Sequence, residues 1–447
     1  MKLRLAIALS AALFVRSHSP AADAPARVPE TDAFSGRPDV VLILVDSLRP
    51  DHLGCYGYER DTSPAIDRFA SGSAKFTEAV ASAPWTQPSI MSLFTSSEPG
   101  VHGRIHWEKP HADIPTPTLA EAFRAAGYRT AAVVANPMVH RKYGFSRGFD
   151  EYDDHSLAMA ASSGSEPADM VATGDDVVLL AKKALDRRRE DGRPLFLFVL
   201  FMDVHWDYLP PPPYDALFAP DPVPAPRKIW ERGGRQPEPV EKRIVAAYDG
   251  EIRYEDGCVG ALLDAVSGPD KPGNAIVAFC SDHGDAFWEH GFTSHGNSLF
   301  EEEIRVPLMV RPSGSSGWFS PCIVTDSVGL IDLGPTLLDL AGLPVPGSWQ
   351  GRSLVPAMRG EAFPDKPVVL DNRVGADKFR RGVRTRRWKI SSLPPFDRPD
   401  MVFDLSGDSG EKCNLAGRSE ELPEEVRNLV PLLAPPRPAV HAEADDP

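Results

Sequence analysis

The chain has 447 residues, of which 42% are hydrophobic and 25% are charged, so it has enough apolar material for one large domain and a smaller companion. Its formal net charge is −15 and its sequence pI is near 5.3. No cluster of Lys and Arg builds the basic surface that nucleic-acid binding requires. We therefore expect a globular protein with no nucleic-acid partner.

The first 24 residues have the order of a secretory signal peptide. Lys2 and Arg4 precede an apolar run over residues 5–15, and an Ala-x-Ala step follows at residues 22–24. The run, which Arg16 ends, is too short to cross a membrane as a helix. An ordinary buried helix is the alternative, but no amphipathic face is visible. We predict that the chain is exported, to the periplasm or out of the cell, and has no stable membrane span.

The cysteines are few and scattered. Their positions show neither a disulfide framework nor the CxxC spacing of a zinc site, and the odd count leaves at least one thiol unpaired. We expect most of them to be small buried apolar residues; they are Cys55, Cys258, Cys280, Cys322 and Cys413.

Four apolar runs of the β type each stop at a polar residue. They are VVLILV (40–45) before Asp46, TAAVVA (130–135) before Asn136, LFLFVLFM (195–202) before Asp203, and AIVAFC (275–280) before Ser281 and Asp282. Apolar strands without alternation are typical of a parallel sheet that is buried on both faces. Residues 118–127 and 246–266 have helical spacing between these runs. The sequence therefore predicts an α/β fold with a mostly parallel central sheet flanked by helices.

Ligands of open parallel sheets bind beyond the carboxyl ends of the strands, so the four polar strand ends are predicted to meet at one edge. Asp46, in VDSLRPDH, and Asp282 with His283, in SDHGD, offer two carboxylates and an imidazole. Such a set suits a divalent cation in the range from calcium and magnesium to manganese. A lone Asp at a strand end is usually a cap of a turn or helix, and the chemistry alone leaves both interpretations open.

The segment SAPWTQPSIMSLFTSSEPG, residues 82–100, places Thr86 just before a predicted helix with Pro88 in its first turn. A helix N-terminus offers free N–H groups and a partial positive charge to an anion. Beside a divalent metal, a hydroxyl held there could be ionised and attack a phosphorus or sulfur centre. A plain N-cap threonine is the alternative, and the motif by itself does not decide between them.

Taken together, these segments resemble the sulfatase family of the alkaline phosphatase superfamily. The family blocks occur in the expected order and cover about residues 39–416. They include residues 40–96, GFSRGFDEY, YDGEIRYEDGCVGALL, SDHGDAFWEHGFTSHGNSLFEEEIRVPLMVRP, DLGPTLLDLAGLPVPGSWQGRSLVP and the segment that ends in EKCNLA. The resemblance implies a sulfatase-like catalytic domain at 37–345, a small C-terminal α+β subdomain at 346–430 and a flexible tail at 431–447.

The resemblance also implies a set of site residues. One divalent metal ion, calcium, manganese or magnesium, is expected to bind Asp46, Asp282, His283 and the oxygen of Thr86. Ser47 stands where many sulfatases have a second metal-binding aspartate. Asn136 lies near the Gly-Lys-Trp-His position of the family, although that lysine and histidine are absent.

Two further histidines match catalytic positions of the family. His205, in FMDVHWDYLPP, matches the histidine that contacts the transferred group. His295, in SHGNSLFEEE, matches the lysine or histidine that binds the anion or protonates the leaving group. Without the resemblance, each would be interpreted as a packed or solvated side chain.

Thr86 stands at the position that the family oxidises to formylglycine, and the signature arginine is replaced by Ile90. Threonine cannot become formylglycine, but it is a direct nucleophile in phosphodiesterase and phosphoglycerol-transferase branches of the superfamily. A phosphoryl ester of threonine is hydrolysed by a second in-line attack, whereas a threonine sulfate ester has no elimination route. The sequence therefore predicts a sulfate- or phosphate-ester hydrolase that favours phosphomonoesters and phosphodiesters.

The substrate is expected to be an anionic ester of a small molecule, a glycan or a lipid headgroup. A sulfatase proper, a phospho-headgroup transferase and a non-catalytic anion-binding homologue stay open as alternatives. The proline-rich residues 207–239 are predicted to wall the substrate mouth, with Trp206, Tyr208 and Trp230 as possible contacts. An uninvolved surface loop is the alternative there.

Overall fold

The computed structural model of the chain describes residues 36–104, 114–154, 172–219, 235–267, 274–373, 379–417 and 422–435. The predicted signal peptide, Trp230 and residues 436–447 of the predicted tail lie outside this described part. Within it, no helix is both long enough and apolar enough to cross a membrane.

The central feature of the fold is an eight-stranded sheet in the order β10-β2-β9-β6-β1-β5-β3-β4. A two-stranded hairpin, β7-β8, lies outside it. In chain order the strands are β1 (Asp39–Val45), β2 (Ala74–Val80), β3 (Arg129–Val134), β4 (Glu151–Asp153), β5 (Leu195–Phe201), β6 (Ala275–Cys280), β7 (Ala286–Phe287), β8 (Thr293–Ser294), β9 (Leu308–Arg311) and β10 (Cys322–Gly329).

The helices vary in length from single turns to one helix of 30 residues. They are α1 (Pro64–Ser71), α2 (Thr86–Thr95), α3 (Pro99–His102), α4 (Leu119–Ala125), α5 (Gly174–Asp191), α6 (Glu238–Ser267), α7 (Glu301–Ile304), α8 (Leu333–Leu340), α9 (Val355–Met358) and α10 (Glu424–Leu429). Thr118 caps α4 through a capping box with Glu121, which explains where the predicted helix at 118–127 begins.

The four apolar runs form the four adjacent strands β6, β1, β5 and β3 in the middle of the sheet. Alternate residues of β1 enter two different apolar clusters: Val40 belongs to one and Val41 to the other. Because both faces are covered, the strand needs apolar residues at every position. The parallel pairs are β1-β5, β1-β6, β3-β5, β3-β4 and β10-β2, which confirms the predicted α/β class with a mostly parallel sheet.

Strand β9 is the exception to the parallel direction, since it pairs antiparallel with both β2 and β6. A second, four-stranded antiparallel sheet follows, made of β11 (Val368–Arg373), β12 (Phe379–Arg384), β13 (Trp388–Ser392) and β14 (Met401–Asp404). It is the small C-terminal sheet that the fold class predicts. The proposed domain boundaries themselves stay a prediction.

Two details of the chain differ from or add to the sequence interpretation. A 3-10 turn at Val430–Leu433, in the first residues of the predicted tail, buries Leu433 against the second sheet. No disulfide joins the five cysteines, all of which the structure describes; Cys258 and Cys280 are buried and the other three are partly exposed, so the prediction that most of them are buried was wrong.

Candidate active site

Three of the predicted strand-end residues meet at one edge of the sheet. Asp46 follows β1, Asn136 follows β3 and Asp282 follows β6, and all three are buried. The amide of Asn136 donates a hydrogen bond to Oδ2 of Asp46. Ser47 links Asp46 to Asp282. Its hydroxyl donates to Oδ1 of Asp46 (3.0 Å), and its N–H donates to Oδ1 of Asp282 (3.3 Å).

His283 completes this cluster with one defined nitrogen. Its Nδ1 lies 3.0 Å from the carbonyl oxygen of Gly284, and a carbonyl only accepts, so Nδ1 carries the proton. The lone pair is therefore on Nε2, which lies 3.6 Å from Oδ1 of Asp46 and 3.4 Å from Oδ2 of Asp282. A carbonyl that accepts from the other ring nitrogen, and so fixes the histidine, is typical of metal-binding sites.

The electrostatics of the two carboxylates fit a bound cation. Burial, followed by the charge of Asp46, raises the pKa of Asp282 well above its ordinary value. Burial would also raise the pKa of Asp46, but His205, His283 and His295 and the hydrogen bond from Asn136 hold it below its ordinary value. Oδ2 of Asp282 is buried and accepts no hydrogen bond from any residue that the structure describes. A hard divalent cation would satisfy this oxygen and the like charges around it.

Thr86 is the first residue of α2, one position further into the helix than predicted. Trp85 is the N-cap residue, so the plain N-cap interpretation of Thr86 does not hold. The hydroxyl Oγ1 instead lies 3.3 Å from Nε2 of His283, and the side chain is almost completely buried. Ser89 fixes the first turn of α2 to the site by donating to the carbonyl oxygen of Asp282 at 2.6 Å.

The structure also brings both predicted catalytic histidines to this edge. The ring of His295 lies 4.3 Å from that of His283 and 4.9 Å from that of His205, between ring centroids. Burial, together with the neighbouring His283 and His205, lowers the pKa of His295 well below its ordinary value. An anionic ester bound between these rings would oppose that shift.

Asp203 does not join the site, contrary to the prediction from its strand-end position. Its Oδ1 accepts from the N–H of Gly174, and its carboxyl group lies near that of Glu255 on α6, whose pKa is raised well above its ordinary value by burial and by the charge of Asp203. Strand β5 already ends at Phe201, and the chain then turns, with the N–H of His205 bonded to the carbonyl oxygen of Met202. The turn directs Asp203 towards the helices, while His205 lies at the site.

Tyr208 is a second correction, since it is not placed to be a substrate contact. Its side chain is buried, and its hydroxyl donates to Oδ2 of Asp285 at 2.5 Å. Trp206 is 42% exposed beside His205, so its role at the mouth of the site stays a prediction.

Asp285 is a site residue that sequence reasoning missed. Its Oδ1 lies 2.6 Å from Nδ1 of His295, and burial raises its pKa to about 6. An aspartate two residues after a strand-end histidine looks like an ordinary turn residue, and nothing in the chain marks its partner ten residues later.

Gly284 separates His283 from Asp285 and permits a close approach of the backbone. A Cβ at this position would lie 2.2 Å from the carbonyl oxygen of Glu302. The N–H of Gly284 also donates to the carbonyl oxygen of Glu303 at 2.9 Å. Helix α7 therefore supports the turn that carries both His283 and Asp285.

The side chain of Glu303, on α7, holds the segment after His295, and its titration gives a pH-dependent test of that contact. Its carboxylate accepts from Oγ of Ser298 (2.6 Å) and from the N–H of Asn297 (3.0 Å), in the segment after His295. Burial raises its pKa from the ordinary 4.5 to about 8. A folded-state pKa above the unfolded one means that the folded protein binds more protons, so the contribution of Glu303 to stability falls as pH rises between these values.

We therefore expect the difference in melting temperature, wild type minus Glu303→Gln, to be largest near pH 5. The difference should fall by about a few degrees towards pH 8. Thermal melts of both proteins across this range measure the difference. A difference that is constant with pH would contradict the assignment, because other titrating groups are common to the two proteins.

Comparison with known proteins identifies relatives of this chain. The sequence model of the Sulfatase family matches residues 38–343, and the model described as N-sulphoglucosamine sulphohydrolase, C-terminal, matches residues 288–430. The chain is 26% identical to an arylsulfatase of Clostridium perfringens, over 89% of this chain and 94% of that protein. It is 29% identical to iduronate 2-sulfatase of Mus musculus, over 71% of this chain and 70% of that protein.

Solved structures show the same fold. A putative sulfatase from Bacteroides thetaiotaomicron superposes with a TM-score of 0.67 at 21% identity, covering 89% of this chain and 90% of that one. The phosphonate monoester hydrolase of Agrobacterium radiobacter superposes with a TM-score of 0.69 at 20% identity, covering 89% and 93%.

Proposed function

Because the chain belongs to the sulfatase family, whose sequence model matches residues 38–343, we propose that it is a metal-dependent hydrolase of phosphate monoesters or diesters with Thr86 as its nucleophile. Membership of this family supports the activity of a sulfatase-type ester hydrolase. The observation that carries the proposal is the position of the Thr86 hydroxyl, 3.3 Å from Nε2 of His283 and at the N-terminus of α2.

Asp46, Asp282, His283 and the oxygen of Thr86 would hold the cation, as one ion of calcium, manganese or magnesium. The bound ion supplies positive charge that lowers the pKa of the threonine hydroxyl and offsets the charge on the ester oxygens. Ser47 orients Asp46 through its hydroxyl. Asn136 does the same from the other carboxylate oxygen.

The hydrolysis divides into two in-line displacements. The Thr86 hydroxyl loses its proton to solvent, its oxygen bonds to phosphorus, and the bond to the leaving alcohol breaks. His205 steadies the anionic oxygens and His295 gives a proton to the leaving oxygen, at the edge where the two rings lie 4.9 Å apart. Attack by water on phosphorus then releases Thr86, or an acceptor alcohol takes the group in a transferase.

The identity of the nucleophile favours phosphorus over sulfur. A formylglycine hydrate expels sulfate by elimination, but the threonine side chain has no second hydroxyl for that route. A phosphoryl-threonine is opened by a second displacement at phosphorus, which the same site can accommodate.

Sulfate-ester hydrolysis is the second candidate, because the proteins similar in sequence include an arylsulfatase and an iduronate 2-sulfatase. We also propose that the mature chain works outside the cytoplasm, on the basis of its first 24 residues.

The experiment that separates the candidates uses one aryl alcohol as a sulfate monoester, a phosphate monoester and a phosphodiester. The purified chain is assayed after loading with calcium, manganese or magnesium. We expect kcat/KM for one of the phosphoesters to exceed that for the sulfate by at least about tenfold. The opposite ranking would favour a sulfatase proper, and no turnover with no bound metal would favour a non-catalytic anion-binding protein.

A further inference from the structure

Asp285 lies between a buried tyrosine and the histidine proposed to protonate the leaving group. Oδ1 is 2.6 Å from Nδ1 of His295, and Oδ2 accepts from the hydroxyl of Tyr208 at 2.5 Å. The hydroxyl of Ser294 lies 3.4 Å from the same Nδ1, a much longer contact. The carboxylate is completely buried, so these two side chains take the place of water around it.

The backbone of Asp285 is fixed as firmly as its side chain. The Arg49 guanidinium donates to its carbonyl oxygen at 2.9 Å, and Arg49 is itself held by Asp51 (2.7 Å) and Glu289 (2.6 Å). Asp285 therefore cannot turn away from His295 without breaking several buried hydrogen bonds. Its two carboxylate oxygens connect two different segments, Tyr208 and His295, so the residue is arranged to orient the ring of His295.

The hydrogen bond to Asp285 decides which nitrogen of His295 is available to a substrate. A carboxylate accepts, so Nδ1 carries a proton, and Nε2 is the nitrogen that can donate to or accept from a ligand. In the part of the chain that the structure describes, Nε2 of His295 has no hydrogen-bond partner. The ring lies against those of His205 and His283, so this nitrogen belongs to the proposed reaction centre.

We propose that Asp285, oriented by Tyr208, is the positioning residue that holds His295 for proton transfer to the leaving alcohol. This inference rests on the proposed function. In the first displacement, the P–O electron pair moves to the leaving oxygen, which takes the proton from Nε2, and His295 becomes neutral with Nδ1–H still bonded to Asp285. In the second, attacking water gives a proton to Nε2 as its oxygen bonds to phosphorus, the bond from phosphorus to the Thr86 oxygen breaks, and that oxygen regains a proton from solvent. The carboxylate stabilises the ring when it is charged, which is before the first displacement and after the second.

The kinetic test compares leaving groups of different basicity with Asp285→Asn, Tyr208→Phe and His295→Gln. Esters of 4-nitrophenol need little protonation of the leaving oxygen, whereas simple alkyl esters need it fully. We expect Asp285→Asn to lower kcat about 10²-fold for the alkyl ester and by only about a few-fold for the nitrophenyl ester, with KM nearly unchanged. In the His295→Gln background, Asp285→Asn should add no further loss, because the two residues act as one unit.

The chain offers a matched control in His290. Its Nδ1 lies 2.7 Å from Oε1 of Glu302, and its ring stacks on Phe300, but it belongs to no part of the proposed machinery. Glu302→Gln makes the same change from carboxylate to amide beside a histidine, and its effect on the rate should not depend on the leaving group.

A second readout needs no turnover. Nitrogen NMR of ¹⁵N-histidine-labelled protein, with His295 assigned from the His295→Gln spectrum, should show Nδ1 protonated in the wild type. In Asp285→Asn the Nδ1 resonance should shift, while Glu302→Gln should alter only the His290 signals. A neutral His295 ring that carries its proton on Nε2 and none on Nδ1 in the wild type would overturn the inference.

Two kinetic results would also overturn it: equal slowing of all leaving groups with loss of bound metal, or additive losses in the double variant. Failure of the proposed function is distinguishable, because it appears as activity that does not depend on Thr86 or as a wild type that turns over no ester. In the latter case the NMR result decides whether Asp285 positions His295.

Discussion

Replacing Thr86 by alanine will lower kcat for the preferred ester by at least about 10³-fold, because the reaction loses the atom that bonds to phosphorus. Thr86→Ser keeps a hydroxyl at the start of α2 and should retain much more of the activity. The side chain of Thr86 contacts Nε2 of His283 and makes no cap for its helix, so we expect the alanine variant to fold normally.

A chemical readout accompanies the rate. Acid quenching during turnover of a phosphoester should trap a phosphoryl group, and mass spectrometry of the peptide that contains Thr86 should detect it in the wild type. The adduct should be absent from Thr86→Ala. Turnover in Thr86→Ala within about tenfold of the wild type would show that water or another group attacks directly, and would remove the argument that favours phosphorus over sulfur.

Replacing Asp282 by asparagine will abolish both metal binding and turnover, with a loss of at least about 10²-fold in metal affinity. Asp282 and Asp46 are completely buried beside each other, and Oδ2 of Asp282 lacks a hydrogen-bond donor among the described residues. We expect elemental analysis to give about one divalent ion per wild-type chain and close to none in the variant.

Although Asp282→Asn should lose metal binding and activity, its stability without metal should not fall. Without metal, Asp282→Asn removes one of two buried like charges, so its melting temperature should equal or exceed that of the metal-free wild type. Added metal should stabilise the wild type by about 2.7 kcal/mol when present at a hundred times its dissociation constant, and should leave the variant unchanged. Thermal melts with and without a chelator measure both effects.

Asp256→Asn is the matched control for this substitution. Asp256 is also a buried carboxylate, but it accepts from the N–H groups of Ala65 (2.9 Å) and Ile66 (2.8 Å) at the start of α1. We expect this variant to lose stability but to keep its metal. Loss of metal from both variants would indicate a general effect of buried charge, and retention of metal in Asp282→Asn would contradict the proposed ligand set.

Much of the fold follows from local sequence. The runs at residues 40–45, 130–135, 195–202 and 275–280 predict strands that differ by at most one residue at each end from β1, β3, β5 and β6. They are apolar at consecutive positions because they lie between two layers of helices, and this property needs no knowledge of the neighbours. The polar residues after β1, β3 and β6 could be placed at one edge on the same reasoning.

Other features depended on contacts between distant parts of the chain. A short apolar strand has no sequence signal for its direction, so the antiparallel pairing of β9 with β6 became visible only in the sheet. Whether Asp203 or His205 faces the site depends on the turn after β5 and on Gly174, whose N–H donates to Asp203 from 29 positions away in sequence.

The sequence by itself determined the fold class, the strand ends and, through its motifs, the residues around Thr86, Asp282 and His283. Only the tertiary structure decided that Tyr208 is buried and that Asp285 joins it to His295, because Tyr208 and Asp285 are separated by 77 positions. Strand patterns arise from burial of each segment, whereas a hydrogen-bonded chain of side chains requires that several segments be packed first. The orientation of His295, the proposed catalytic histidine, depends on such a chain of side chains and therefore on the packed structure.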